Sequence, residues 1–318
     1  MSKVTKLVKI HEDPNNPTYY YKDGKKDAVF QVKKRIGSES VRGSVFKVCK
    51  KGEKQCSALK VIAVPLQYET LPGANSCPEN RIQREIKFLI LCNELLKAGI
   101  TNNLPRTCTF YDATDKSCYL TGSENTGKCV LFQAPLADGD MNFWIKSPKT
   151  ENQIQSCILQ VLLGIYVFRN QLGAFHRDLH LGNVLYYKER CKTYYYKVQG
   201  KIIAVPNFGF RFSLWDFDQS FSFLMCPQYK GLNSSEPLSE STDYSRFLDV
   251  LCYFLKRQNK KTLANEIDTI RYDYGVSNNT SVEDMIFEFI TAYNVGKIVS
   301  KAPVGAKVYH LDKKLKLQ

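Results

Sequence analysis

The sequence predicts an α+β fold in two lobes: a small antiparallel β-sheet lobe with one main helix, then a larger, mainly helical lobe. Three observations lead there. Between Phe30 and Val64, short β-branched runs alternate with Gly-containing turns, the pattern of an antiparallel meander. Two later segments, 77–100 and 151–173, space apolar residues at the helical period and close on Gly99 and Gly173. A chain of 318 residues, 43% of them hydrophobic, can bury a sizeable core, and at roughly one to two hundred residues per domain it divides in two.

Residues 1–29 form a Lys-rich, basic N-terminal extension, either a tail or an extra strand. The first lobe spans 30–133. Its strands are FQVKKRIG, GSVFKVCKKG and CSALKVIAV, and its helix is CPENRIQREIKFLILCNELLKAGI, with Ile82, Ile86, Leu89 and Ile90 at helical spacing. Two more strands centre on TCTFYDA and KCVLFQAPL. The second lobe, 134–318, contains a long helix over ENQIQSCILQVLLGIYVFRNQLG. No internal repeat or low-complexity segment interrupts the chain.

Lys and Arg outnumber Asp and Glu by 45 to 31, a formal net charge of +14 that favours anions: nucleotides, acidic protein surfaces, nucleic acid or anionic membranes. Eleven cysteines occur without a C-x-x-C pair or metal-ligand clustering, and the start MSKVTKLVKIHEDPNNP lacks the apolar core of a secretion signal. Reduced thiols in a cytosol-like compartment are therefore expected, and secretion is not. No apolar run approaches the roughly 18 residues of a bilayer-spanning helix, so no transmembrane segment is expected.

Chemistry concentrates in AFHRDLHLGNVLYY, residues 174–187. Its flanks, CILQVLLGIYVF and VLYY, are built for burial, so the polar insert is held at the end of packed elements. Asp178 can accept a proton from an attacking hydroxyl, and Asn183, five residues on, can offer its side-chain oxygen to a metal ion bridging phosphates. SLWDFDQSF supplies Asp216 at the end of an apolar strand, a hard oxygen ligand of the kind Mg²⁺ takes.

Upstream, the small residues of IGSESVRGSVFKV would let backbone N–H groups approach phosphate oxygens. Gly37 and Gly43 lie six apart, however, and Ser40 stands where a middle glycine would be expected, so a plain hairpin turn accounts for the stretch equally well. ALKVI puts Lys60 among apolar neighbours on a strand, where it either holds phosphates or faces solvent. Glu85 in REIKFL, with Glu79 as runner-up, is the carboxylate to pair with Lys60 across helix–sheet packing; a solvated helical Glu is the plain alternative.

The run H-R-D-L-x-x-x-N-V-L, with ALKVI before it and DFD after it, resembles the catalytic-loop signature of eukaryotic-type protein kinases. HRDLHLGNVLYY, TYYYKVQGKIIAVPNFGFRFSLWDFD and TDYSRFLDVL resemble the haspin-like branch and the serine/threonine kinases of large DNA viruses. The resemblance covers about residues 30–260. It implies a two-lobed protein-kinase-like fold using ATP and Mg²⁺, a serine/threonine protein kinase acting on a protein substrate, and a cytoplasmic or nuclear setting in a host cell, or a virion for a viral member.

Residue by residue, the resemblance implies that Lys60 holds the α/β-phosphates, Glu85 holds Lys60, Asp178 is the catalytic base, and Asn183 and Asp216 bind Mg²⁺. Ile36, Gly37, Gly43 and Val45 join the ATP-binding set. VLFQAPLADGDM resembles the segment that reads adenine through backbone groups, near Gln133, Ala134 and Leu136, with Asp140 near the ribose. His176 and Arg177 would orient the loop, and Asp249 would anchor its backbone from a helix.

Three departures stand out. Asp218 occupies the glycine place of D-F-G, no A-P-E follows Asp216, and His180 replaces the Lys commonly found two residues after the catalytic Asp. His180, the third catalytic candidate, either carries charge towards the transferred phosphate or only hydrogen-bonds within the loop. Only about 26 residues separate Asp216 from DYSRF, so no motif assigns a docking surface for the acceptor. Two alternatives follow: a small-molecule phosphotransferase of related fold, favoured by DLHLGN, and a catalytically inactive kinase-like binding module, opposed by the intact Lys60, Asp178, Asn183 and Asp216. KERCKTYYYKVQGK is expected to be a solvated hairpin rather than a nucleic-acid stripe, KKLKLQ a solvated tail, and Cys56 a packing residue.

Overall fold

In the computed structural model of the protein, the described residues are 5–13, 16–22, 28–36, 43–50, 55–65, 81–114, 125–225, 241–275, 281–293 and 295–315. They form two compact units: Met1–Ser76 with Arg106–Ala137, and Cys77–Pro105 with Asp138–Gln318. The chain passes from one to the other after residue 137, where the sequence suggested 133, and the segment 77–105 groups with the second unit rather than with the strands around it.

The first unit consists of β1 (Thr5–Asp13), β2 (Asn16–Lys22), β3 (Ala28–Ile36), β4 (Gly43–Lys50), β5 (Cys56–Pro65), β6 (Thr109–Thr114) and β7 (Asn125–Pro135). In the order β1-β2-β3-β4-β5-β7-β6 they close a barrel, with β1 parallel to β6 and the other neighbours antiparallel. The N-terminal extension is thus two strands, and their closure onto β6 removes exposed sheet edges. Val48, Leu59, Leu131 and Phe132 are sealed from solvent, each such side chain contributing about 1.5–3 kcal/mol of burial. A Cβ on Gly43 would come within 2.9 Å of the Val61 carbonyl oxygen, so the approach of β4 to β5 there requires glycine.

Cys49 and Cys56 lie opposite each other in the β4–β5 register and form a disulfide, and Cys129 is also disulfide-bonded. This corrects the expectation of reduced thiols throughout and of Cys56 as a packing residue. Cross-strand register makes the pair, and a search for C-x-x-C spacing does not detect it. Cys92, Cys108, Cys157, Cys191 and Cys252 are free thiols, and burial pushes those of Cys92 and Cys157 well up.

The second unit contains α1 (Arg81–Lys97), β8 (Gly139–Asp140), α2 (Met141–Lys146), α3 (Glu151–Leu172), β9 (Ala174–Phe175), β10 (Val184–Lys188), β11 (Thr193–Val198), β12 (Lys201–Pro206), β13 (Phe210–Leu214), β14 (Phe221–Ser222), α4 (Ser241–Arg257), α5 (Lys261–Gly275), α6 (Val282–Tyr293), β15 (Lys297–Val299) and β16 (Val308–His310). Helices make up most of its regular structure, as expected for the larger lobe, and it carries sheet as well. Among the described residues, β8 to β16 form three small sheets of order β13-β10-β8, β15-β12-β11-β16 and β14-β9. KERCKTYYYKVQGK does form a hairpin, β11–β12, but Tyr194 and Tyr196 are buried and cannot serve as a stacking platform.

Helix α3 is mostly apolar and buried almost throughout, as a central core helix must be. Thr150 and Gln153 cap its start reciprocally, and it stops at Gly173, whose φ of 54° suits glycine and whose N–H reaches the Arg169 carbonyl at 2.7 Å. Helix α1 packs on this core through Phe88, 5.1 Å from Phe168 and 6.0 Å from Phe217 between ring centroids. Asn103 then donates to the Phe212 carbonyl (3.0 Å) and accepts the Leu214 N–H (3.1 Å). These bonds explain why 77–105 belongs to the second unit. No helix among the described residues is long and apolar enough to cross a membrane.

Candidate functional site

Three expected nucleotide-binding residues share a row of the first unit's sheet. Val45 lies opposite Ile36 on β3 and opposite Lys60 on β5. Directly opposed residues of antiparallel strands present their side chains to one face, so Ile36, Val45 and Lys60 share it. Lys60 is only 8% exposed, which excludes the solvated-edge alternative; a buried ammonium needs compensating partners. Gly43 is accounted for by strand packing, and Gly37 and Ser40 lie outside the described residues. Gln133 and Ala134 are buried. The Gln133 amide donates to Ser57 Oγ (3.1 Å) and its carbonyl accepts the Cys108 N–H (2.7 Å), so the sheet already uses this residue. Leu136 lies one residue past the end of β7 at Pro135.

In the second unit, Glu85 on α1 is 1% exposed, so it is not the solvated helical Glu; Glu79 lies outside the described residues. Asp140 caps α2, its Oδ1 accepting the Phe143 N–H at 2.9 Å. Burial raises the pKa of the Tyr186 hydroxyl, and Asp138 and Asp140 add to that rise.

The residues expected to form the catalytic loop converge through strand register. Val184 of β10 opposes Leu214 of β13, and the next rung, Trp215 N–H to the Asn183 carbonyl (2.9 Å), extends the ladder past both strands. Asn183 and Asp216 therefore emerge at the same end of one ribbon. Asn183 Nδ2 donates to the Asp178 carbonyl at 2.8 Å. A carbonyl can only accept, which fixes the amide orientation and turns Oδ1 away from that bond.

Two non-glycine residues here have left-handed backbone, Arg177 (φ 65°) and Asp216 (φ 63°). Such conformations cost about 1–3 kcal/mol each and persist where the surroundings over-determine them. His176, fully buried, donates from Nε2 to the Trp215 carbonyl (2.8 Å) and packs against Phe217. From α4, the buried Asp243 carboxylate accepts the N–H groups of His176 (2.7 Å) and Arg177 (2.8 Å). One turn further, Arg246 Nη1 donates to the Arg177 carbonyl (3.1 Å), and Nη2 lies 3.0 Å from Asp178 Oδ1. His180 Nδ1 accepts the Gly182 N–H (3.0 Å), and Nε2 lies 3.9 Å from Asp178 Oδ2.

The helix-borne anchor is a correction. Asp249 is 66% exposed at its side chain and pairs with Arg271 at 3.6 Å, whereas Asp243 holds the loop. Asp243 lies one helical turn before Phe247 on the buried stripe of α4, and a carboxylate in line with an apolar stripe was the available signal. Arg246 was missed entirely, since nothing in its local sequence indicates that it reaches Asp178.

No protein-family model matches the chain, and no curated protein matches it. Among the described residues, no group of three or more His, Cys, Asp or Glu is placed to hold a metal ion. Asn183 Oδ1 and the Asp216 carboxylate are nonetheless two hard oxygen donors at one ribbon end. That fits Mg²⁺, which takes one or two carboxylates from a protein and completes its shell with phosphates and water.

Proposed function

We propose that the chain is an ATP-dependent serine/threonine protein kinase. The observation that carries this reading is the ribbon end where Asn183, bonded back to Asp178, emerges beside Asp216, with the loop held from α4. Asp178 takes the proton of the acceptor hydroxyl as its oxygen attacks the γ-phosphorus; the bond to the β,γ-bridging oxygen breaks and ADP leaves. Asn183 and Asp216 would hold Mg²⁺, which when bound neutralises phosphate charge. The row of Ile36, Val45 and Lys60 faces the nucleotide in this reading. The role of Lys60 on the phosphates comes from the resemblance, and the deep burial of its charge supports it. The net charge of +14 favours acidic protein substrates.

Transfer of the γ-phosphate from labelled ATP with Mg²⁺, to panels of proteins and of small molecules, tests the reading. Label on Ser or Thr of a protein is the expected result. Label on small molecules alone makes the chain a small-molecule phosphotransferase, and ATP binding without transfer makes it a binding module.

A further inference from the structure

We infer, resting on the kinase reading, that Arg246 places a fixed positive charge beside Asp178, where His180 replaces the usual Lys, and is a positioning residue for Asp178. In the resembling kinases a Lys commonly lies two residues after the base; here His180 stands there, and its Nδ1 accepts the Gly182 N–H. That ring nitrogen is thus engaged within the loop.

The cation comes from α4 instead. Arg246 Nη2 lies 3.0 Å from Asp178 Oδ1 while Nη1 donates to the Arg177 carbonyl at 3.1 Å. A guanidinium is planar, permanently charged and rigid in the spacing of its donors, so the two contacts fix the direction of the Asp178 carboxylate as well as the charge beside it. With Oδ1 held, Oδ2 is the oxygen that receives the acceptor proton. The Arg246 side chain is 49% exposed, so this pair adds little to folding and its consequence is orientation. Asp243, one turn earlier, fixes the backbone of the same loop. A single turn of α4 therefore sets both the loop and its base.

The test is single-turnover phosphate transfer from bound ATP by wild type, Arg246→Ala, Arg246→Lys, Asp178→Asn and the Arg246→Ala/Asp178→Asn double variant, with ATP affinity and thermal unfolding measured alongside. Arg246→Ala should slow transfer about 10- to 100-fold, the scale of a misdirected catalytic group, with ATP affinity unchanged. Arg246→Lys keeps the charge without the two-point geometry and should fall between Ala and wild type. The double variant should be no slower than Asp178→Asn alone, because Arg246 acts through Asp178. Transfer by Arg246→Ala at the wild-type rate, or a loss that multiplies with that of Asp178→Asn, overturns the inference and leaves the kinase reading intact. A wild type that phosphorylates no acceptor overturns both. Should Arg246→Ala fail to fold, Arg246→Lys decides: a reduced rate with unchanged ATP affinity bears the inference out, and a wild-type rate overturns it.

Discussion

Lys60 and Asp178 are held by different means. The row of Ile36, Val45 and Lys60 is set by backbone ladders on both sides of β4, so its geometry is spread over many equivalent bonds. The loop bearing Asp178 has no ladder of its own. Side chains shape it instead: Asp243 and Arg246 from α4, and His176 and Asn183 at the loop's own two ends. A site built on register tolerates single side-chain changes, whereas one built on a few side-chain bonds concentrates its geometry in residues that each become a point of failure.

The largest expected effect comes from Asp243→Ala. It strands two N–H groups that bond to a buried carboxylate, so denaturant unfolding should show a loss of about 3 kcal/mol, with impaired phosphate transfer. A loss under about 1 kcal/mol would break the contrast between the two regions. Removing the Cys49–Cys56 disulfide by Ser substitution should cost roughly 2 kcal/mol, measured the same way, because its loop is short. Here the ladder should keep the Lys60 row in place and ATP affinity nearly unchanged; a large loss of affinity would show that register alone does not hold it. Asp216→Asn should weaken Mg²⁺-dependent ATP binding at least about tenfold in titrations with and without the ion. Unchanged Mg²⁺ dependence would remove Asp216 from the metal site.

At His180 the effect is smaller. Asn can still accept the Gly182 N–H and Lys cannot, so His180→Asn should transfer phosphate about fivefold faster than His180→Lys, the equivalent of one net hydrogen bond. A faster Lys variant would restore a charge role to this position. The smallest effect is that of Asp249→Asn, within about 0.5 kcal/mol of wild type and without effect on transfer, since its pair with Arg271 is exposed.

Elements with long local patterns were legible in the sequence. β3, β4, β5, α1, β6, β7 and α3 announced themselves through periodicity and glycine stops. β1 and β2 were ambiguous because their place depends on β6, about a hundred residues away. The β11–β12 hairpin was legible too, whereas the two- and three-residue strands of the second unit are too short to show a period of two, and neither Cys49–Cys56 nor Arg246–Asp178 leaves a spacing signature. Asp178, Asn183 and Asp216 could be named from residue type and order alone. Their convergence needed the β10–β13 register, and the choice of Asp243 over Asp249 needed the buried face of α4.

In the kinase reading, Asp178, aimed from α4, is the base of a phosphoryl transfer. Single-turnover transfer of the γ-phosphate by Asp178→Asn, with ATP affinity measured on the same preparation, tests it most directly. The rate should fall about 100- to 10,000-fold, the usual contribution of a positioned base, while ATP affinity stays within about a factor of two. Transfer by Asp178→Asn at the wild-type rate would contradict the claim.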